Sequence, residues 1–149
     1  MDAVSIEPLS AETVEGFRGL ALATLAEYGL SDPELEADLV APLDSYEAAW
    51  VAVLDGEVLG TVAVERRADG DLHLVRMFVS TRLRGQGIGT ALLDLALAHA
   101  RTTGTATVHL ETLSVMQAAQ HIYERAGFEQ VGTGTYGSKC DVTYRLRLQ

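Results

Sequence analysis

Between a strand-like run, Leu72 to Val79, and a sixteen-residue amphipathic stretch, the chain reads Arg82-Leu-Arg-Gly-Gln-Gly-Ile-Gly-Thr90. Gly85, Gly87 and Gly89 stand at every second position of this loop. Without a Cβ the backbone turns freely there, and the first amides of the following helix, which lack partners inside it, are left open to close approach. The positive end of the helix dipole falls at the same place, and Arg82 and Arg84 add full charges. A strand, a glycine turn and a rigidly packed helix in this order make a cradle for an anion of the pyrophosphate kind.

The rest of the chain sets the frame for that loop. Its 149 residues suit one domain with one substantial core, so a single domain over 1–149 is expected. Hydrophobic content of 48% with 21% charged residues is globular, and no apolar run reaches the roughly 18 residues of a membrane span. Met1 to Ser10 carries Asp2 and no basic region before an apolar block, unlike a secretory signal. The lone Cys140 excludes an internal disulfide and supplies no metal cluster. A soluble cytoplasmic protein without a metal is therefore expected. Twenty-one acids against eleven Lys plus Arg give a formal net charge of −10, which argues against broad contact with nucleic acid or an anionic membrane.

Along the chain, Val4 to Glu7 alternates as a short strand. A helix follows from Ser10 with Val14, Phe17, Ala21, Leu25 and Tyr28 on one face, closed by Gly29. Ser31-Asp32-Pro33 opens a short acidic helical segment toward Ala41, with Pro42 as its stop. Trp50 to Leu54 and Val58 to Glu65 are strands joined by Asp55-Gly56, a hairpin signal, and a second turn at Ala68 to Gly70 leads to the strand before the glycine loop. Then come a helix from about Gly87 to Thr102, a strand at Thr107 to Glu111, a helix near Val115 to Ala126 with capping-box spacing from Ser114 to Gln117, and strands around Phe128 to Gly132 and Val142 to Leu148. The expected fold is α+β, one sheet with helices on its faces.

Three segments in sequence, Arg84-Gly-Gln-Gly-Ile-Gly89, Leu110-Glu-Thr112 and Ile122-Tyr-Glu-Arg-Ala-Gly-Phe128, resemble the GNAT superfamily of acetyl-CoA-dependent N-acetyltransferases. The likeness covers roughly residues 58 to 132. It implies a mixed, mostly antiparallel sheet of six to seven strands with about four helices and a splayed fourth and fifth strand. It further implies that the pantetheine arm of acetyl-CoA pairs with the backbone of Met77, Phe78 and Val79, as a ligand adding to a strand edge. The pyrophosphate would rest on Arg84, Gly85, Gln86, Gly87, Ile88, Gly89 and Thr90. The family gives its aligned tyrosine, here Tyr123, the protonation of the departing thiolate. The acceptor would be a primary amine of a small molecule or peptide, and a homodimer is compatible with the family.

An amine arrives as ammonium and must lose a proton before it attacks. Glu111, at the end of the fifth strand, is the first candidate base, with His73 and then Glu65 behind it. Trp50 and Tyr28 are candidates for the acceptor pocket, as is Tyr136 in the glycine-rich Thr133 to Lys139 stretch. Where many family members carry Asn seven residues before the tyrosine, this chain has Met116, with Gln117 or Ser114 as substitutes. Other classes fit less well. Gly85, Gly87 and Thr90 break the dinucleotide pattern, and no Lys-Ser or Lys-Thr follows the glycines as a P-loop needs. The remaining alternative is a non-catalytic acyl-CoA-binding module of the same fold.

Overall fold

The computed structural model describes residues 3–133 and 141–149, so Tyr136 and Cys140 lie outside the described residues. The strands are β1 (Ser5–Pro8), β2 (Ala48–Leu54), β3 (Glu57–Arg66), β4 (Leu72–Val79), β5 (Thr107–Thr112), β6 (Glu129–Thr133) and β7 (Val142–Arg147). The helices are α1 (Val14–Glu27), α2 (Pro42–Ser45), α3 (Ile88–Thr102) and α4 (Gln117–Arg125), with 3-10 turns at Ala37–Leu39 and Thr81–Leu83. All seven strands join one sheet in the order β1-β2-β3-β4-β5-β7-β6. Every neighbouring pair is antiparallel except β4 and β5, which run parallel because α3 carries the chain back across the sheet.

Local chemistry accounts for the connections. Asp55 and Gly56 both take positive φ, 52° and 78°, as the two-residue hairpin turn between β2 and β3 demands. The second hairpin closes through Arg67 and Asp71, whose amide-to-carbonyl bond measures 2.8 Å.

One face of the sheet is covered by α3 and α4. Leu92, Leu93 and Leu97 of α3 are buried against Val62, Val64, Leu74 and Leu110, and each such side chain contributes about 1.5–3 kcal/mol. On the opposite face α1 buries Phe17, Ala21 and Leu25 against Val51, Val58 and Ala63. The contact is close enough to require Gly16: a Cβ there would lie 2.6 Å from Val58 Cγ2. The α3 crossing leans on Gly60 of β3 in a similar way, where a Cβ would come within 3.1 Å of Leu92 Cδ1. These two crossings hold the start of β3 between α1 and α3.

Two expectations are corrected. The segment from Ser31 toward Ala41 is a turn, closed by the Glu36 amide on the Asp32 carbonyl, followed by the 3-10 turn; Pro42 does not stop a helix but opens α2. A residue without N–H and with φ already fixed suits a first helical position. The capping box at Ser114 is absent as well. Ser114 gives its amide and hydroxyl to Asp141, at 2.8 and 2.6 Å, and α4 begins at Gln117 without a side-chain cap.

Candidate active site

A bulge near the end of β4 organises the site. Ala63 pairs with Val75 and Thr61 with Phe78, so Val62 of β3 faces two residues of β4, Arg76 and Met77. Arg76 takes a left-handed φ of 54°, a conformation of order 1–2 kcal/mol less favourable for a residue with a Cβ. Its surroundings hold it there. Thr61 Oγ1 donates to the Arg76 carbonyl at 2.7 Å. The guanidinium donates to both Asp38 oxygens, at 2.9 and 2.6 Å, and to the Leu35 carbonyl. Tyr46 donates its hydroxyl to Asp38 as well. Burial acts to raise the Asp38 carboxyl, but the bonds from Arg76 and Tyr46 prevail and hold it below its ordinary range. Burial, then the Asp38 bond, pushes the Tyr46 hydroxyl far up.

Beyond the bulge the sheet opens. β4 and β5 pair only at Leu72 with Val108 and His73 with His109, which leaves Leu74 to Val79 without a β5 partner. A cleft of about 210 Å³ occupies the fork, with Val75, Met77, Phe78, Met116 and Tyr123 among its walls. The splayed fourth and fifth strands expected from the sequence are present.

The titratable side chains gather on one side of this fork. Glu65 stands opposite His73 in the β3–β4 register, and His73 Nε2 is hydrogen-bonded to Glu111 Oε2. That bond, opposed by burial, holds the Glu111 carboxyl below its usual range. Burial raises the Glu65 carboxyl. Glu111 and His73, competing candidates from sequence, are thus one linked pair. Tyr123 is 4% exposed and lines the cleft, its ring 5.8 Å from that of Phe128 and 6.1 Å from that of Tyr144. Tyr28 lines the cleft too. Trp50 does not: it packs edge-on to His99, with centroids 6.0 Å apart, beside a separate groove lined by Leu43 and Pro8.

At the other end of the fork lies the glycine loop. Gly85 and Gly87 have φ of 79° and 78°, and among the described residues, their own chain neighbours apart, no heavy atom lies within 4 Å of where their Cβ atoms would sit. The first bond of α3 runs from the Ala91 amide to the Gly87 carbonyl at 3.0 Å, so the amides of Ile88, Gly89 and Thr90 precede the helical ladder. At Gly89 packing requires the missing Cβ, which would meet Ile122 Cδ1 at 2.9 Å. Arg84 is anchored by Nε on the Val79 carbonyl at 3.2 Å, whereas Arg82 is paired with Glu57 at 2.7 Å and its charge is partly offset. Open space above left-handed glycines, leading amides and an unpaired strand edge fit a long ligand with an anionic group at one end.

Residues 17–128 match the model of the Acetyltransferase (GNAT) family. The chain belongs to the GNAT acetyltransferase family. N-acetylaspartate synthetase of Homo sapiens is 41% identical to this GNAT chain over 105 residues, 67% of this chain and 35% of that protein. The chain spans half or less of the length of the curated relatives it matches. An acetyltransferase of the GNAT family from Staphylococcus aureus Mu50 superposes with a TM-score of 0.87 at 21% identity, over 99% of this chain and 100% of that one. A GNAT acetyltransferase of Brucella melitensis in complex with acetyl-CoA gives 0.72 at 22% identity, over 99% and 89%. The seven-stranded sheet with its parallel β4–β5 fork is the GNAT fold.

Two features of this GNAT site were missed from sequence. The first is the clamp of Arg76, Asp38 and Tyr46, although one arginine inside the otherwise apolar Leu74 to Val79 run was a visible signal. The second is Gln120, whose amide donates to the Leu113 and Ser114 carbonyls at 3.0 and 2.8 Å and so pins the turn after β5. Ser114, one proposed substitute for the missing Asn, is committed to Asp141. Among the described residues no helix is long and apolar enough to cross a membrane.

Proposed function

We propose that residues 1–149 act as one N-acetyltransferase domain that takes the acetyl group of acetyl-CoA and passes it directly to a primary amine. The observation that carries this reading is the convergence, on one fork, of an unpaired β4 edge, a glycine loop with open space above it, and the linked pair of Glu111 and His73. Relatives named as N-acetyltransferases, and a family structure with acetyl-CoA bound, support it.

When bound, acetyl-CoA supplies the thioester carbonyl as acyl donor. The amides from Gly85 to Thr90, with Arg84, hold its pyrophosphate, and the backbone of Met77, Phe78 and Val79 receives the amides of its arm. Glu111, bonded to His73, takes the proton of the acceptor ammonium, directly or through water. The nitrogen then forms its bond to the acyl carbon as the carbon–sulfur bond breaks. Tyr123 gives its hydroxyl proton to the departing sulfur. Holding both reactants in one fork supplies much of the acceleration, because direct transfer needs no covalent enzyme intermediate. The acidic composition and single cysteine suit a reducing, cytoplasmic setting.

Free thiol released from acetyl-CoA in the presence of a panel of primary amines, with the acetylated product identified by mass, tests the reading. Amine-dependent release is expected. Binding of acetyl-CoA with no release would make the chain an acyl-CoA-binding module.

A further inference from the structure

We infer that the acceptor is a primary amine on an apolar body with no carboxylate beside the amine, and that Glu65 is the residue that receives its ammonium group. This rests on the reading of the fork as an acetyl-transfer site and names the substrate class of that site. Glu65 lines the cleft from β3, directly opposite His73, yet no hydrogen bond or ion pair joins its carboxylate to any described residue. Burial raises its proton affinity, with His73 opposing, as expected of a half-buried carboxylate that has no hydrogen-bonding partner among the described residues. Such a group gains most from an entering cation.

The remaining charges reinforce the choice. Asp38 and Glu111 also line the cleft. Arg76, the arginine among its described walls, is already committed to Asp38 and the Leu35 carbonyl, and His73 to Glu111. Outside the fork, Arg67 is paired with Asp69 at 3.0 Å and His109 with Asp71 at 2.8 Å. Arg145 has a buried Nε without a partner, but it sits on β7 opposite His109 and does not line the cleft. An incoming carboxylate would therefore meet Glu65 and Glu111 with no free cation among the described walls, and like charges placed together discriminate strongly. Leu25, Tyr28, Leu30, Leu35, Val75 and Phe78 give the body of the acceptor an apolar surface.

Matched pairs that differ only by a carboxylate test this without any variant: phenethylamine against L-phenylalanine and cadaverine against L-lysine, with L-aspartate alongside, at saturating acetyl-CoA. The member lacking the carboxylate is expected to show kcat/KM at least about tenfold higher. Glu65→Gln should raise KM for that amine about tenfold while kcat and acetyl-CoA affinity change little. Equal or better turnover of the carboxylate-bearing members, or of L-aspartate, overturns the acceptor class and leaves acetyl transfer standing. Acetyl-CoA binding with no release from any of these amines also overturns it, and no acetyl-CoA binding at all overturns both readings.

Discussion

Arg76 Nη2 lies 2.6 Å from Asp38 Oδ1, so the side chain of the one left-handed residue in β4 is tied to a loop that walls the cleft. Both side chains are largely buried, at 11% and 19% exposed. The pair couples the bulge that ends normal β3–β4 pairing to the segment after α1. Tyr46 extends the tie into the α1 side of the sheet, where its ring lies 5.6 Å from that of Phe17.

Removing the Asp38 charge leaves the Arg76 guanidinium buried without its counterion. Asp38→Asn should lower stability by about 3 kcal/mol, read as a reduced urea midpoint at unchanged slope. A midpoint equal to that of the parent would show that the clamp is not what holds the bulge.

Tyr123→Phe keeps the ring contacts with Phe128 and Tyr144 and deletes only the hydroxyl. Turnover should fall about 100-fold while acetyl-CoA affinity, measured by calorimetry, stays near that of the parent. Unchanged turnover would move thiolate protonation to another group.

Two glycines of α1 should respond in opposite directions. Gly16→Ala gains helix propensity but drives a Cβ into Val58, so a net loss of about 1–2 kcal/mol is expected. At Gly19 nothing lies within 4 Å of the added atom, and Gly19→Ala should gain up to about 1 kcal/mol. Thermal melts that moved both variants the same way would contradict the close α1–β3 crossing.

Glu47 bonds to Arg66 and His99, and the Arg66 bond above all takes its carboxyl down to about 2 from an ordinary value of 4.5. A depressed carboxyl adds stability that is complete above its unfolded value and is lost as pH falls through the folded one. The melting temperature of Glu47→Gln should therefore trail the parent at pH 6, with the gap closing between pH 4.5 and 2. A gap independent of pH would assign the effect to packing.

What could be read in the sequence was whatever rests on local chemistry. Asp55-Gly56 marks its hairpin because both residues must take positive φ, and the Leu92, Leu93, Leu97 face of α3 requires a sheet beneath it. Gly85 and Gly87 mark the turn before α3, where both take positive φ. The parts that escaped depend on partners distant along the chain. Arg76 meets Asp38 at a separation of 38 positions, and Ser114 leaves its helix start for Asp141, 27 positions on. Glu111 and His73 were separable candidates in one dimension and became one unit only when β4 and β5 aligned. Gly89 was read as ligand clearance, but the neighbour that requires it, Ile122, lies on another helix.

Calorimetric titration of acetyl-CoA into the folded parent protein and into Gly87→Glu tests the central claim most directly. The substitution places a charged side chain in the open space above the left-handed turn before α3. Saturable one-to-one binding by the parent, lost in a variant that keeps its far-ultraviolet circular dichroism, is the expected result. Equal binding by both proteins, or none by the parent, would contradict it.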